Sequence, residues 1–157
     1  MWFVGDGDFR ALGDEFLSYF KDLGHLQPHE NVLDIGCGVG RAIPLSEFMT
    51  PEGRYEGFDI VKSGIQWCTA HISAIYSNFH FQLSDVYNSY SNPTSRYFAQ
   101  EYLFPYADQT FDFAFLTSVF THMLPEAMEH YVAETHRALK TGWRWLLTFL
   151  LINPEST

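Results

Sequence analysis

The segment Asn31-Val32-Leu33-Asp34-Ile35, followed at once by Gly36-Cys37-Gly38-Val39-Gly40, constrains this chain more than any other. Five largely apolar residues stopped by alternating glycines read as a buried strand feeding a glycine turn, where the backbone can come close to a ligand because no Cβ intervenes. A strand buried in this way needs neighbours at its edges and helices over its faces. The flanking sequence supplies both. Phe9, Leu12, Phe16, Tyr19, Phe20 and Leu23 recur at steps of three and four, which predicts an amphipathic helix over residues 8–23 ended by Gly24. A second helix is expected from about Arg41, with Pro44 in its first turn.

Further along, residues 54–59 read as the second strand, and residues 62–76 as a helix with Ile65, Cys68, Ile72 and Ile75 on its inner stripe. Residues 79–83 alternate like a third strand. From Tyr87 to Thr110 the periodicity fades among Asn, Ser, Pro and aromatic residues, which predicts a long loop or lid. Residues 111–116 form a strongly apolar strand, and residues 125–139 a helix with Met128, Tyr131, Val132, Thr135 and Leu139 facing inward. Pro125 suits the first turn of that helix and Gly142 its left-handed cap, and residues 145–151 are the last, buried strand. Strands alternating with helices predict an α/β fold: a doubly wound, mostly parallel sheet of about five strands in three layers. Ligands in such sheets sit at the carboxyl ends of the strands, where strand order reverses.

With 157 residues and 46% hydrophobic content, the chain has enough apolar surface for one core, so residues 1–157 are expected to form a single domain. Its parts are an amino-terminal helical segment (1–28), the sheet core (31–151) and the loop 87–110. Nine Lys and Arg stand against 19 Asp and Glu, a net charge of −10, with no basic stripe, so neither nucleic acid nor an anionic membrane is the expected partner. Two cysteines make no disulfide framework, and the start of the chain shows no basic-then-apolar leader, which predicts a cytoplasmic protein. Residues 145–152, the longest apolar run, are far short of a membrane span. His130 and His136 lie six apart, not the three or four that one helix face requires of two metal ligands, and no metal is expected.

Spacing within the glycine turn separates two cofactor classes. A dinucleotide fingerprint wants Gly at the first, third and sixth places, whereas here the sixth is Arg41. Glycines instead stand at 36, 38 and 40, with Asp34 two residues before the first. This resembles the first motif of class I S-adenosylmethionine-dependent methyltransferases. Three further segments resemble the same family in order: Leu83-Ser84-Asp85-Val86, the run Phe111 to Ser118, and Leu139-Lys140-Thr141-Gly142 before the last strand. The resemblance spans about Asn31 to Leu151 and implies a Rossmann-like, S-adenosylmethionine-methyltransferase-like domain.

The resemblance implies S-adenosyl-L-methionine as cofactor, S-adenosyl-L-homocysteine as product, and methyl transfer to a small-molecule acceptor. Asp59, ending the second strand, is placed to accept both ribose hydroxyls. By the same likeness Asp34 serves the methionyl ammonium, and the turn Gly36, Cys37, Gly38 and Gly40 brings its backbone amides to the methionine and ribose. Arg41 pairs the carboxylate, Ile60 and Val86 sandwich adenine, Asp85 takes its amino group, and Thr117 offers a carbonyl. His122, after the fourth strand, is the candidate base, because its ordinary pKa suits proton removal near neutrality. Tyr87, Tyr97, Tyr102, Phe104 and Tyr106, with Trp2 and Phe3, are candidate acceptor contacts. Asp112 starts its strand at the far end from the cleft and is expected to be structural.

The family's sheet usually carries strands six and seven as a hairpin beside strand five, and none is readable here before Thr157. The expectation is a fragment of a longer protein or a homodimer paired along the strand-five edge. Two other functions stay open on sequence grounds: an NAD(P)-dependent oxidoreductase, which Arg41 disfavours, and a non-catalytic methyltransferase-like remnant.

Overall fold

A computed structural model describes residues 9–39 and 43–149. Five strands, β1 (Asn31–Ile35), β2 (Arg54–Asp59), β3 (Phe79–Leu83), β4 (Phe111–Leu116) and β5 (Leu139–Leu147), form one all-parallel sheet in the order β3-β2-β1-β4-β5. The α/β architecture is the one expected from the alternation of elements. From β1 the chain winds outward through β2 to β3, then crosses back to lay β4 on the other side of β1. Right-handed crossovers in opposite directions place their connections on opposite faces. Helices α1 (Phe9–Asp22), α2 (Ile43–Phe48) and α3 (Lys62–Cys68) accordingly share one face with Val32, Tyr55, Phe79, Phe113 and Phe115. The other face carries Leu33, Ile35, Phe58, Ala114 and Leu116 under α4 (Pro125–Ala138). In β1 and β4 neighbouring residues go to opposite cores, the two-residue period of strands covered on both sides, whereas β3 buries one face.

Several local expectations change. In α1 the inner stripe is Gly13, Phe16, Leu17 and Phe20, whereas Leu23 is exposed and the Tyr19 hydroxyl donates to Glu15 on the surface. Gly24 does not take the left-handed cap. His25 does, at φ 51°, and Gly24 is required instead because a Cβ there would lie 2.7 Å from the Phe113 ring. The helix over 62–76 divides into α3 and a π-helical turn, Thr69–Ser73, and Ile75 is exposed. In α4 Val132 faces outward, and Glu134 takes an inner position.

Gly142 has the positive φ expected of a cap but sits inside β5. Phe111 pairs with Leu139 and Phe113 with Arg144, so five steps on β5 answer two on β4, a bulge of three extra residues that Gly142 helps to turn. β5 therefore begins at Leu139, not Trp145, and it is not buried. Among the described residues it has one strand neighbour, β4, and Trp143 and Trp145 are more than a third exposed. Asp112 is structural as expected, accepting from the Asn31 amide at 2.8 Å and from the Lys140 ammonium. Among the described residues no helix is long and apolar enough to cross a membrane.

The crossover from β3 to β4 contains only a 3-10 turn, Ala99–Glu101, where a doubly wound fold ordinarily places a helix. Aromatic side chains do the covering. Tyr102 and Phe104 are buried, and with Tyr106 they pack on Phe58 at ring distances of 6.2, 4.9 and 6.2 Å. Arg137 of α4 fastens this segment, donating to the Phe104 and Tyr106 carbonyls, to Asp108 and to Glu134, while Glu134 accepts the Phe104 amide at 2.8 Å. The Arg137 hydrogen bond holds the Glu134 carboxyl below its ordinary pKa. A lowered folded-state pKa stabilises the fold above the unfolded value, near 4.3, and that contribution is lost as pH falls through the folded value. The urea midpoint is expected to drop between about pH 5 and pH 3, and Glu134→Gln to flatten that part of the profile. An unchanged slope in the variant would refute the assignment.

Candidate functional site

The carboxyl ends of β1, β2 and β4 frame a cavity of about 450 Å³, at the position where strand order reverses. That volume lies in the range of small-molecule sites. Its floor starts at Gly36, where φ is +79° and a Cβ would come within 2.4 Å of Val119 Cγ2. Only glycine fits such a place, because a side chain would meet both backbone strain and a filled space. The corner after β4 presses from the other side: Ser118 holds φ 61°, and its amide donates to Thr148 Oγ1 at 2.8 Å. Gly64 of α3 closes in beneath, where a Cβ would lie 2.9 Å from the Gly38 carbonyl oxygen.

Asp59 ends β2 at the wall of the cavity. Its Oδ2 accepts the Gly38 amide and its Oδ1 the Val61 amide, both at 2.8 Å. Burial pushes its carboxyl pKa up, against the lowering effect of the bonds from Val61, Gly38 and Ile60. The two oxygens keep lone-pair capacity beyond these N–H bonds, so the fixed carboxylate can accept a pair of adjacent hydroxyls.

The structure gathers Gly36, Cys37, Gly38, Asp59, Ile60, Val86, Thr117 and His122 around this one cavity. Cys37 is buried, and its thiol pKa is raised by burial first and by the Asp34 charge second, which keeps it protonated. His122 ends the 3-10 turn Phe120–His122 with its side chain exposed at the rim. The amides of Gly36 and Gly38 do not point to a ligand as expected: Gly36 N donates to the Phe58 carbonyl at 2.9 Å and Gly38 N to Asp59. The turn therefore lines the cavity with backbone whose Gly36, Cys37 and Gly38 amides are already bonded to β2.

Asp34 and Asp85 do not line the cavity. Strand alternation carries Asp34 to the opposite core, where its carboxylate accepts the Tyr55 hydroxyl. Asp85 faces outward and is bound by Arg96 at 2.8 Å, which lowers its pKa. Gly40, Arg41, Trp2 and Phe3 lie outside the described residues. Of the candidate acceptor contacts, Tyr87 lines the cavity, whereas Tyr102, Phe104 and Tyr106 are spent on the core and Tyr97 lies outside it. Sequence reasoning missed Asn88, Tyr90 and Val119 as lining groups and read Tyr131 only as core. Asn88 caps its own turn, its Oδ1 accepting the Tyr90 and Ser91 amides, a pattern that the Asn-Ser-Tyr-Ser-Asn run could have signalled. Among the described residues no three His, Cys, Asp or Glu side chains converge as metal ligands.

A family model described as a methyltransferase domain matches residues 32–142. Among solved structures, the PH0226 protein from Pyrococcus horikoshii OT3 superposes with a TM-score of 0.68 at 19% identity, covering 91% of this chain and 58% of that one. A SAM-dependent methyltransferase from Archaeoglobus fulgidus gives 0.60 at 20% identity, covering 88% and 52%. Coclaurine N-methyltransferase, bound to N-methylheliamine and SAH, gives 0.67 at 15% identity, covering 93% and 38%. At these identities the likeness is one of fold. The chain spans about half the length of the solved structures it matches.

Proposed function

The chain belongs to the methyltransferase-domain family, and from that membership we propose that it binds S-adenosylmethionine in this cavity and transfers the methyl group to a small-molecule acceptor. The observation that carries the reading is Asp59, a half-buried carboxylate fixed by the Gly38 and Val61 amides at the wall of the cavity, beside Gly36, where a Cβ has no room. The residues fit an adenosyl ligand. Asp59 accepts the vicinal ribose hydroxyls on its remaining lone pairs. Ile60 and Val86 give the purine apolar surface. The Gly36 turn and Thr117 frame the methionyl part. Bound there, S-adenosylmethionine supplies an electrophilic methyl group on a sulfonium centre. Because in-line displacement needs little covalent help, the chain's share is orientation: rigid strand ends hold the site, and the strained corner at Ser118 sets its width. His122, exposed at the rim, takes the proton that an oxygen or nitrogen acceptor gives up. The coclaurine enzyme, solved with N-methylheliamine, supports a small-molecule acceptor.

Calorimetric titration with S-adenosylhomocysteine tests this directly, with NADH as control ligand. Micromolar binding is expected for S-adenosylhomocysteine and none for NADH. Asp59→Ala is expected to weaken binding by more than about tenfold, the loss for hydrogen bonds to a charged group. NADH binding in place of S-adenosylhomocysteine would move the chain to the oxidoreductase class, and no binding of either would favour a non-catalytic remnant.

A further inference from the structure

The buried tyrosines of the sheet interior differ in what their hydroxyls meet. Tyr55 donates to Asp34 and Tyr102 to Ser84 Oγ at 3.1 Å, while the Tyr106 hydroxyl is sealed in the core without a partner among the described residues. Tyr131 is a fourth case. Only 3% exposed, it projects from the inner face of α4 and lines the cavity, its ring held edge-on by Phe104 at 5.0 Å. Its own carbonyl accepts the Thr135 hydroxyl, but among the described residues nothing hydrogen-bonds the Tyr131 hydroxyl. Unlike that of Tyr106, this hydroxyl is not sealed off. A buried polar group is ordinarily paired, and one that opens toward a cavity is a donor that a ligand atom can use.

We propose that the Tyr131 hydroxyl donates a hydrogen bond to the adenosyl part of the bound cofactor, making α4 a contributor to the cofactor site beside the strand-end loops. The inference rests on the reading of the cavity as an adenosylmethionine site. Placement selects the adenosyl part, because the Phe104 ring joins Tyr131 to Phe58, at 5.0 and 4.9 Å, within the packing cluster that also holds Val86, and Phe58 is followed directly by Asp59, the residue that receives the ribose. Chemistry selects the donor role. Burial, and after it the charges of Tyr102 and Asp59, push the phenol pKa well up, so the group keeps its proton and neither serves as a base nor carries charge. A hydroxyl that keeps its proton is a donor, and the acceptors that the adenosyl part offers it are a purine ring nitrogen or a ribose oxygen.

Tyr131→Phe tests this because it removes the hydroxyl and keeps the ring. In titrations of the full chain, affinity for S-adenosylhomocysteine is expected to fall about 3- to 10-fold. Affinity for 5′-methylthioadenosine, which lacks the amino-acid arm, is expected to fall by the same factor. The urea midpoint without ligand is expected to stay level or rise, since no protein bond is broken. Unchanged affinity for both ligands would overturn the proposal. So would a loss confined to S-adenosylhomocysteine, which would assign the hydroxyl to the amino-acid arm, and so would a lowered midpoint, which would give it a structural partner. Each of these leaves the adenosylmethionine reading standing. Wild-type chain that binds neither ligand would take down both.

Discussion

Gly36→Ala is expected to cost the fold about 2–5 kcal/mol and to abolish ligand binding. Two causes add. Holding a non-glycine residue at φ +79° costs roughly 1–2 kcal/mol, and a Cβ placed 2.4 Å from Val119 Cγ2 forces an overpacking adjustment of roughly 1–3 kcal/mol. Against a total stability of about 5–15 kcal/mol for a domain of this kind, the sum is large. The causes separate in a mutant cycle. Val119→Ala removes the colliding methyl group, so Gly36→Ala/Val119→Ala recovers the packing part and leaves the backbone strain. Urea denaturation of the four proteins reads both. A Gly36→Ala midpoint equal to wild type would mean that the turn relaxes freely and does not fix the cavity.

That turn was the most legible feature of the sequence, because a strand that stops at spaced glycines has few alternatives. Strands β1 and β4 were legible for the same reason, being short, apolar and flanked by a change of period, whereas the start of β5 was placed six residues late because its first half is polar and bulged. Side-chain destinations were harder. Asp34 is one residue from Leu33 and one from Ile35, and the two-residue period of a fully covered strand sends it to the opposite core, where Tyr55 meets it. Asp85 stands beside Val86, yet only Val86 reaches the cavity, since Arg96, eleven residues further on, draws the carboxylate outward. Neither partner is visible in a local motif. The same holds for Glu30 and Asp112, buried acids whose partners Arg144 and Lys140 lie on the distant β5. Gly24 and Gly142 show the limit of reading glycine as punctuation. The first is small because Phe113 presses on it, and the second turns a bulge inside a strand.

The loop between β3 and β4 shows why loss of periodicity was a poor guide to exposure. Without a crossover helix, single aromatic side chains replace a helical stripe, and they leave no repeat to detect. Phe58 is their anchor. It is 2% exposed, lines the cavity, touches Tyr102, Phe104 and Tyr106, and its carbonyl accepts the Gly36 and Cys37 amides. Phe58→Ala is therefore expected to lose about 3–5 kcal/mol, the usual range for emptying a buried phenylalanine site. Part of that loss falls on the loop, because three rings lose their common contact at once. Arg96, with its side chain 80% exposed, offers trypsin a reporter bond in the same segment. Cleavage there is expected to accelerate in Phe58→Ala well before global unfolding, and S-adenosylhomocysteine affinity to fall with it, because Val86 belongs to the same packing cluster. Phe58→Leu, which refills most of the volume, is expected to restore a large part of both. Should Phe58→Ala destabilise the whole domain while leaving the rate at Arg96 tied to global opening, the aromatic segment would be an integral part of the core and not a separately anchored wall of the site.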